Sequence, residues 1–239
     1  MSGNIYSVEY DGDFKRLRDE NLLNWFPWVG INYPELPVEC KVLIIGESHY
    51  NSEVEITDNS IEKYNYTRKI VGSLGVDANK SKSNFYKNTV RLMIGKDTME
   101  KQERIAFWKN VCFYNFIQRP MADSKKRPTI EDLETGGKSL MDLITLLQPA
   151  TCIFLGLAAA DHLNEILLKS DYKIEKEIGK VKPIKKNHPR MGKILNSDGQ
   201  LIKLLFVKHP SKYFSPDSWN AFLNKNASSP MAWFRALIS

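Results

Sequence analysis

Three short stretches carry polar side chains where buried strands would not need them. Gly46-Glu47-Ser48-His49-Tyr50 follows an apolar run, Asn115 interrupts an aromatic run that leads to Arg119-Pro120, and His209-Pro210-Ser211 closes the last apolar run. A carboxylate and an imidazole are the groups most used to move protons or to stabilise developing charge. A carboxamide donates and accepts at once, so it can read the hydrogen-bonding edge of a heterocycle. Each residue also has a plainer role. Glu47 could cap a helix or face solvent, Asn115 could be a hydrogen-bonded core asparagine, and His209 could be an ordinary turn residue before proline.

The elements that must position these groups are legible from hydrophobic pattern. Four apolar runs predict buried parallel strands: Lys41 to Gly46, Asn110 to Phe116, Thr151 to Gly156 and Ile202 to Lys208. Helical periodicity falls between and after them, over Asn84 to Ile94, Gln102 to Trp108, Lys138 to Leu147, Ala158 to Leu168 and Pro216 to Leu223. Strands alternating with helices predict an α/β doubly wound sheet, whose ligands bind outside the carboxyl ends of the strands. Lys176 to Lys193 reads as a loop, with seven Lys/Arg residues and two prolines, and Ser197-Asp198-Gly199 reads as a hairpin turn into the fourth strand. Gly136-Gly137-Lys138-Ser139 imitates the end of a phosphate loop, but Asp132 stands where the first glycine is needed and no strand precedes it. A nucleotide triphosphatase is therefore rejected.

With 239 residues and 42% hydrophobic content, the chain can bury one large core, and one domain over residues 1–239 is expected. A formal charge of +6 suits a polyanionic partner, since each Lys or Arg placed on a phosphate releases counterions. Cys40, Cys112 and Cys152 lack metal-ligand spacing and read as reduced, buried thiols. The N-terminus has no apolar stretch and no run approaches a membrane span, so a cytoplasmic protein without a membrane partner is expected.

The order G-E-S-H-Y, F-Y-N-F-I-Q-R-P, H-P-S resembles the uracil-DNA glycosylase superfamily, whose first motif is G-Q-D-P-Y or G-E-A-P-G. The resemblance covers about residues 40 to 220. It implies a three-layer α/β/α sandwich around a central four-stranded parallel sheet, and a monomer that binds DNA and extrudes one base into a pocket. In that frame His209 donates to the anion developing on the leaving base, and Glu47 orients water or stabilises the cationic sugar. Gly46, Ser48, His49, Tyr50 and Asn115 contact the base. Ser211 grips a phosphate, Tyr213 or Phe214 fills the vacated stack, and Arg119, Lys185, Lys186, Arg190 and Lys212 contact the DNA backbone.

The departures from the family pattern also bear on function. Ser48 stands where the best-known branch has a water-activating Asp, and His49 stands where Pro is usual. The G-E-A-P-G branch holds an iron–sulfur cluster on four cysteines, which three scattered cysteines cannot supply, so no cofactor is expected. N-L-L-N-W-F-P-W-V-G-I-N-Y and S-N-F-Y-K-N-T-V-R-L look like bacterial glycosylase-like proteins, some linked to defence against phage with modified DNA. The expected substrate is therefore a modified pyrimidine, with a bulky cytosine derivative preferred over uracil. Uracil repair, a non-catalytic DNA-binding relative and an unrelated doubly wound enzyme are the alternatives.

Overall fold

Among the described residues, the runs that are apolar on both sides form the centre of the sheet. The computed structural model describes residues 4–50, 63–77, 83–121, 126–211 and 213–238. Its strands are β1 (Trp28–Val29), β2 (Val42–Gly46), β3 (Cys112–Asn115), β4 (Thr151–Leu155), β5 (Lys173–Lys180), β6 (Arg190–Leu195) and β7 (Leu201–Val207). They form a seven-stranded sheet in the order β1-β3-β2-β4-β7-β6-β5. The four expected strands are its parallel core, β3-β2-β4-β7. Every residue of β2, β3 and β4 is buried, as a strand covered on both faces requires.

The sheet is larger than the four strands expected. β1 joins β3 antiparallel, and β6 and β5 extend it beyond β7 as an antiparallel hairpin. Lys176 to Lys193, read as a loop, is mostly that hairpin. Its last strand, β5, reads K-I-E-K-E-I-G-K and buries only Ile178. Charge on both faces of an edge strand discourages pairing with another chain and also hides the strand from a hydrophobicity reading. The turn at residues 196–200 is as expected, with Gly199 at φ 76° linking β6 to β7.

Helices cover both faces. α1 (Asp11–Asp19), α5 (Ile130–Leu147) and α6 (Ala160–Leu167) pack with Leu43, Ile45, Tyr114, Phe154 and Phe206. α2 (Tyr66–Ile70), its π-helical continuation Val71–Asp77, α3 (Asn84–Ile94), α4 (Lys101–Trp108), α7 (Pro216–Asn226) and α8 (Ser228–Ala236) cover the other face, against Val42, Ile44, Phe113, Ile153 and Leu205. α3 has the bounds expected from its periodicity, whereas α5 starts eight residues earlier than Lys138, from a Thr129/Asp132 capping box.

The Gly136-Gly137 pair lies inside α5, where glycine costs about 1 kcal/mol relative to alanine. Its reason is packing. A Cβ at 136 would lie 2.4 Å from the Phe116 carbonyl oxygen, and one at 137 would lie 2.4 Å from the Ile166 side chain. The three cysteines are free and buried. Among the described residues no helix is long and apolar enough to cross a membrane.

Candidate active site at the carboxyl edge

The chain runs from β2 outward to β3 and then returns to β4 on the other side of β2, so the strand order reverses between β2 and β4. In open α/β sheets the crevice outside that reversal is where ligands bind. A cavity of about 250 Å³ lies there, lined among others by Gly46 at the end of β2 and Glu47 after it, Leu155 at the end of β4 and Gly156 to Ala159 after it, and Lys208 and His209 after β7. Glu47 and His209 therefore face the same space. They do not follow adjacent strands, because β4 lies between β2 and β7. Its turn, Gly156-Leu157-Ala158-Ala159, supplies the intervening wall. Sequence reasoning passed over that turn, although a run of small residues after a buried strand is a signal for open space.

β3 holds β2's loop in register. Gly46 is paired with Asn115, the Phe116 and Ile117 N–H groups donate to the Gly46 and Glu47 carbonyls at 3.0 and 2.8 Å, and the Met121 N–H donates to His49 O at 2.8 Å. Tyr50, half-buried, bridges to Met121. Gln118 anchors this edge. Its amide donates to Asn115 O at 2.5 Å, and its carbonyl accepts from the Asn24 and Trp25 N–H groups.

Asn115 is buried but does not line the cavity. Its carboxamide lies over Gly46, where a Cβ would come within 2.1 Å of Asn115 Oδ1. Gly46 and Asn115 continue the alternation of Ile44 and Phe113 and so face the α3 side of the sheet. The His209 ring packs on that side too, 5.1 Å from Phe85, whose own ring is 6.3 Å from Phe113. His209 therefore belongs to both the cavity and the α3 side. Phe85, a half-buried aromatic at the start of α3, is a site residue that the sequence reading missed. Asn88 is another: buried on α3, its amide donates to the Pro210 and Ser211 carbonyls at 3.2 and 3.4 Å and fixes the H-P-S loop.

Several expected site residues have other work. His49 is 0% exposed, bonds Thr67 Oγ1 at 2.9 Å and packs edge-on against Trp25 and Tyr66. It ties the loop to α2 and does not reach a ligand, which corrects the expectation that it adds a group to the base site. Ser48 is also buried, with its hydroxyl near the His49 carbonyl. Phe214 stacks on Trp219 at 6.3 Å and 9° and packs against the core layer, so it is a packing residue and not the candidate to fill a vacated stack. Tyr213 is 84% exposed and sits at φ 63°, a left-handed conformation that costs a non-glycine residue of order 1 kcal/mol. Lys208 Nζ donates to the Tyr213 carbonyl at 3.2 Å. Ser211 is exposed at the turn, and Lys212 lies outside the described residues.

The basic residues divide in the same way. Arg190 opens β6 and is ion-paired with Asp161, and Arg119 is held by Asp132 through two bonds of 2.5 and 2.6 Å. Neither guanidinium is a simple phosphate donor. Lys185 and Lys186 are exposed in a tight turn closed by mutual Ile184/Asn187 backbone bonds. Since Lys180 pairs with Arg190, and Arg190 with Phe206 near the end of β7, this turn projects past the carboxyl edge beside the H-P-S loop.

Burial opposes ionisation of Asp132, but the Arg119 guanidinium and the Thr129 N–H and hydroxyl outweigh it and hold the carboxyl below the ordinary range. A depressed carboxyl stabilises the fold above its unfolded pKa of about 3.9 and loses that contribution as pH falls through the folded value. Asp132→Asn is expected to destabilise the fold by about 1 kcal/mol at neutral pH, since Arg119 is half exposed and its pairing is screened. The difference in Tm from wild type should shrink below pH 4. A constant difference down to pH 2.5 would assign the loss to packing.

No protein-family model and no curated protein matches the chain.

Proposed function

We propose that this protein is a DNA glycosylase of the uracil-DNA glycosylase kind, hydrolysing the bond between an extruded, modified pyrimidine and its sugar. The observation that carries the reading is Glu47 and His209 in one cavity at the strand-order reversal. Departure of the base leaves the bonding electrons on its ring and positive character on C1′. His209 donates a hydrogen bond to the base anion, while Glu47 stabilises the cation and orients the water that adds to C1′. Outside the cavity, on the α3 side where the His209 ring also packs, Asn115 lies beside the bare Cα of Gly46 and reads the edge of a base that reaches that ring, and Phe85 offers an aromatic wall there. The lysine turn at 185–186 supplies phosphate contacts that set position without reading sequence.

The test is incubation of the protein with otherwise identical DNAs carrying uracil, hydroxymethylcytosine or glucosylated hydroxymethylcytosine, followed by detection of abasic sites. Release of a modified base ahead of uracil is expected. Rapid release of uracil alone defeats the substrate assignment, and no release from any of the three defeats the enzyme.

Tyr213 is the wedge in this reading. An exposed aromatic held in a costly conformation suits a residue preset to fill the gap left by the base, recovering part of the few kcal/mol lost on unstacking. Tyr213→Ala should therefore slow reaction on duplex DNA several-fold more than on single strands. Equal loss on both substrates would remove the wedge.

A further inference from the structure

We propose, resting on the glycosylase reading, that the protein also cleaves the DNA strand at the abasic site, with the Lys208 amine as nucleophile. Lys208 lines the same cavity as Glu47 and His209 and immediately precedes His209, yet hydrolysis of the base gives it no task. A lysine amine, once deprotonated, adds to carbonyl carbon to form an imine. The Lys208 amine donates to the Tyr213 carbonyl at 3.2 Å, an exposed contact that breaks without disturbing the core.

Base release leaves a deoxyribose whose ring-opened form carries an aldehyde at C1′. The ammonium first gives a proton to water; the free amine then adds to that carbon and water departs, giving an imine. Glu47, on the far side of the β4 turn, takes a proton from C2′, and the electron pair released expels the 3′ phosphate as a double bond forms between C2′ and C3′. Water then hydrolyses the imine and returns the amine. No oxidant or reductant is consumed.

The test uses the full chain and a single-stranded oligonucleotide with a premade abasic site, which needs neither base release nor unstacking. With sodium borohydride present, hydride reduces the imine to a stable amine. A covalent adduct is expected, mapping by peptide mass to Lys208. Without borohydride, the strand should break 3′ to the lesion, leaving an unsaturated aldehyde. Lys208→Arg keeps a donor for the Tyr213 carbonyl, but a guanidinium stays protonated and forms no imine, so its adduct should fall to the no-protein level. Lys169→Ala, on the outer surface of the chain beyond α6, should trap as wild type does.

No adduct, an adduct on another amine, or wild-type trapping by Lys208→Arg overturns the proposal. The last result would leave Lys208 as an anchor for the Tyr213 turn. Because the abasic site is premade, trapping is independent of base release: base release without an adduct removes the lyase alone, and a Lys208 adduct without base release removes the glycosylase alone.

Discussion

On the proposed glycosylase reading, Glu47→Gln and His209→Ala are each expected to lower the single-turnover rate of base release by about a hundredfold or more, with DNA binding largely kept, the scale typical for losing an acid–base or oxyanion partner. The two act on opposite charges. In that reading His209 serves the side where negative charge grows, so removing its donor should raise the barrier to departure. Glu47 serves the sugar side, and its amide replacement keeps the shape while removing the charge proposed to stabilise C1′ and polarise water. Neither change opens the core, because both residues follow strand ends and are only half-buried. Binding should survive, because the lysine turn at 185–186 proposed to contact phosphates and the H-P-S backbone held by Asn88 are untouched. Gel-quench assays with enzyme in excess separate the chemical step from product release. Wild-type rates in both variants would remove them from the mechanism.

Gly46→Ala is expected to cost tenfold or more in base release and to lower Tm by a few degrees. The added Cβ would lie 2.1 Å from Asn115 Oδ1 and 3.1 Å from the Phe113 ring, inside van der Waals contact. The strand cannot back away, since β2 is hydrogen-bonded on both sides, to β3 and to β4. The Asn115 carboxamide must therefore turn out of its place over the loop. Overpacking of this kind costs about 1–3 kcal/mol in a filled interior. A chain of this size loses roughly 2–4 °C for each kcal/mol. Gly12→Ala is the contrast: nothing lies within 4 Å of its added Cβ, and alanine favours the helix it sits in. If Gly46→Ala reacted like wild type, Asn115 would have no part in reading the base.

The parallel core was readable because its strands are covered on both faces and so become continuous apolar runs. The added strands broke that rule. β1 has two residues, and β5 presents charge on both faces, so K-I-E-K-E-I-G-K looks like a solvated loop. Glu47 and His209 were legible as polar groups ending apolar runs, which local sequence can show. What local sequence could not show was which polar residues were already paired. Arg119 finds Asp132 thirteen residues on, Arg190 finds Asp161 twenty-nine residues back, and His49 finds Thr67 across segments with no shared periodicity. Phe85 was hidden differently: it begins a correctly expected helix, and its neighbour His209 lies more than a hundred residues further along the chain.

Placing β4 between the strands that carry Glu47 and His209 separates two design problems. The spacing of the acid–base pair is set by the sheet, about two strand intervals or roughly 9.5 Å between backbones. The room between them is bounded in part by Gly156, Ala158 and Ala159, which carry no reacting group. A larger side chain in that turn narrows what enters while the pair stays in place, and a smaller one admits more. If the proposed reading holds, a change of accepted base can arise at these small residues, altering the guest without retuning the chemistry.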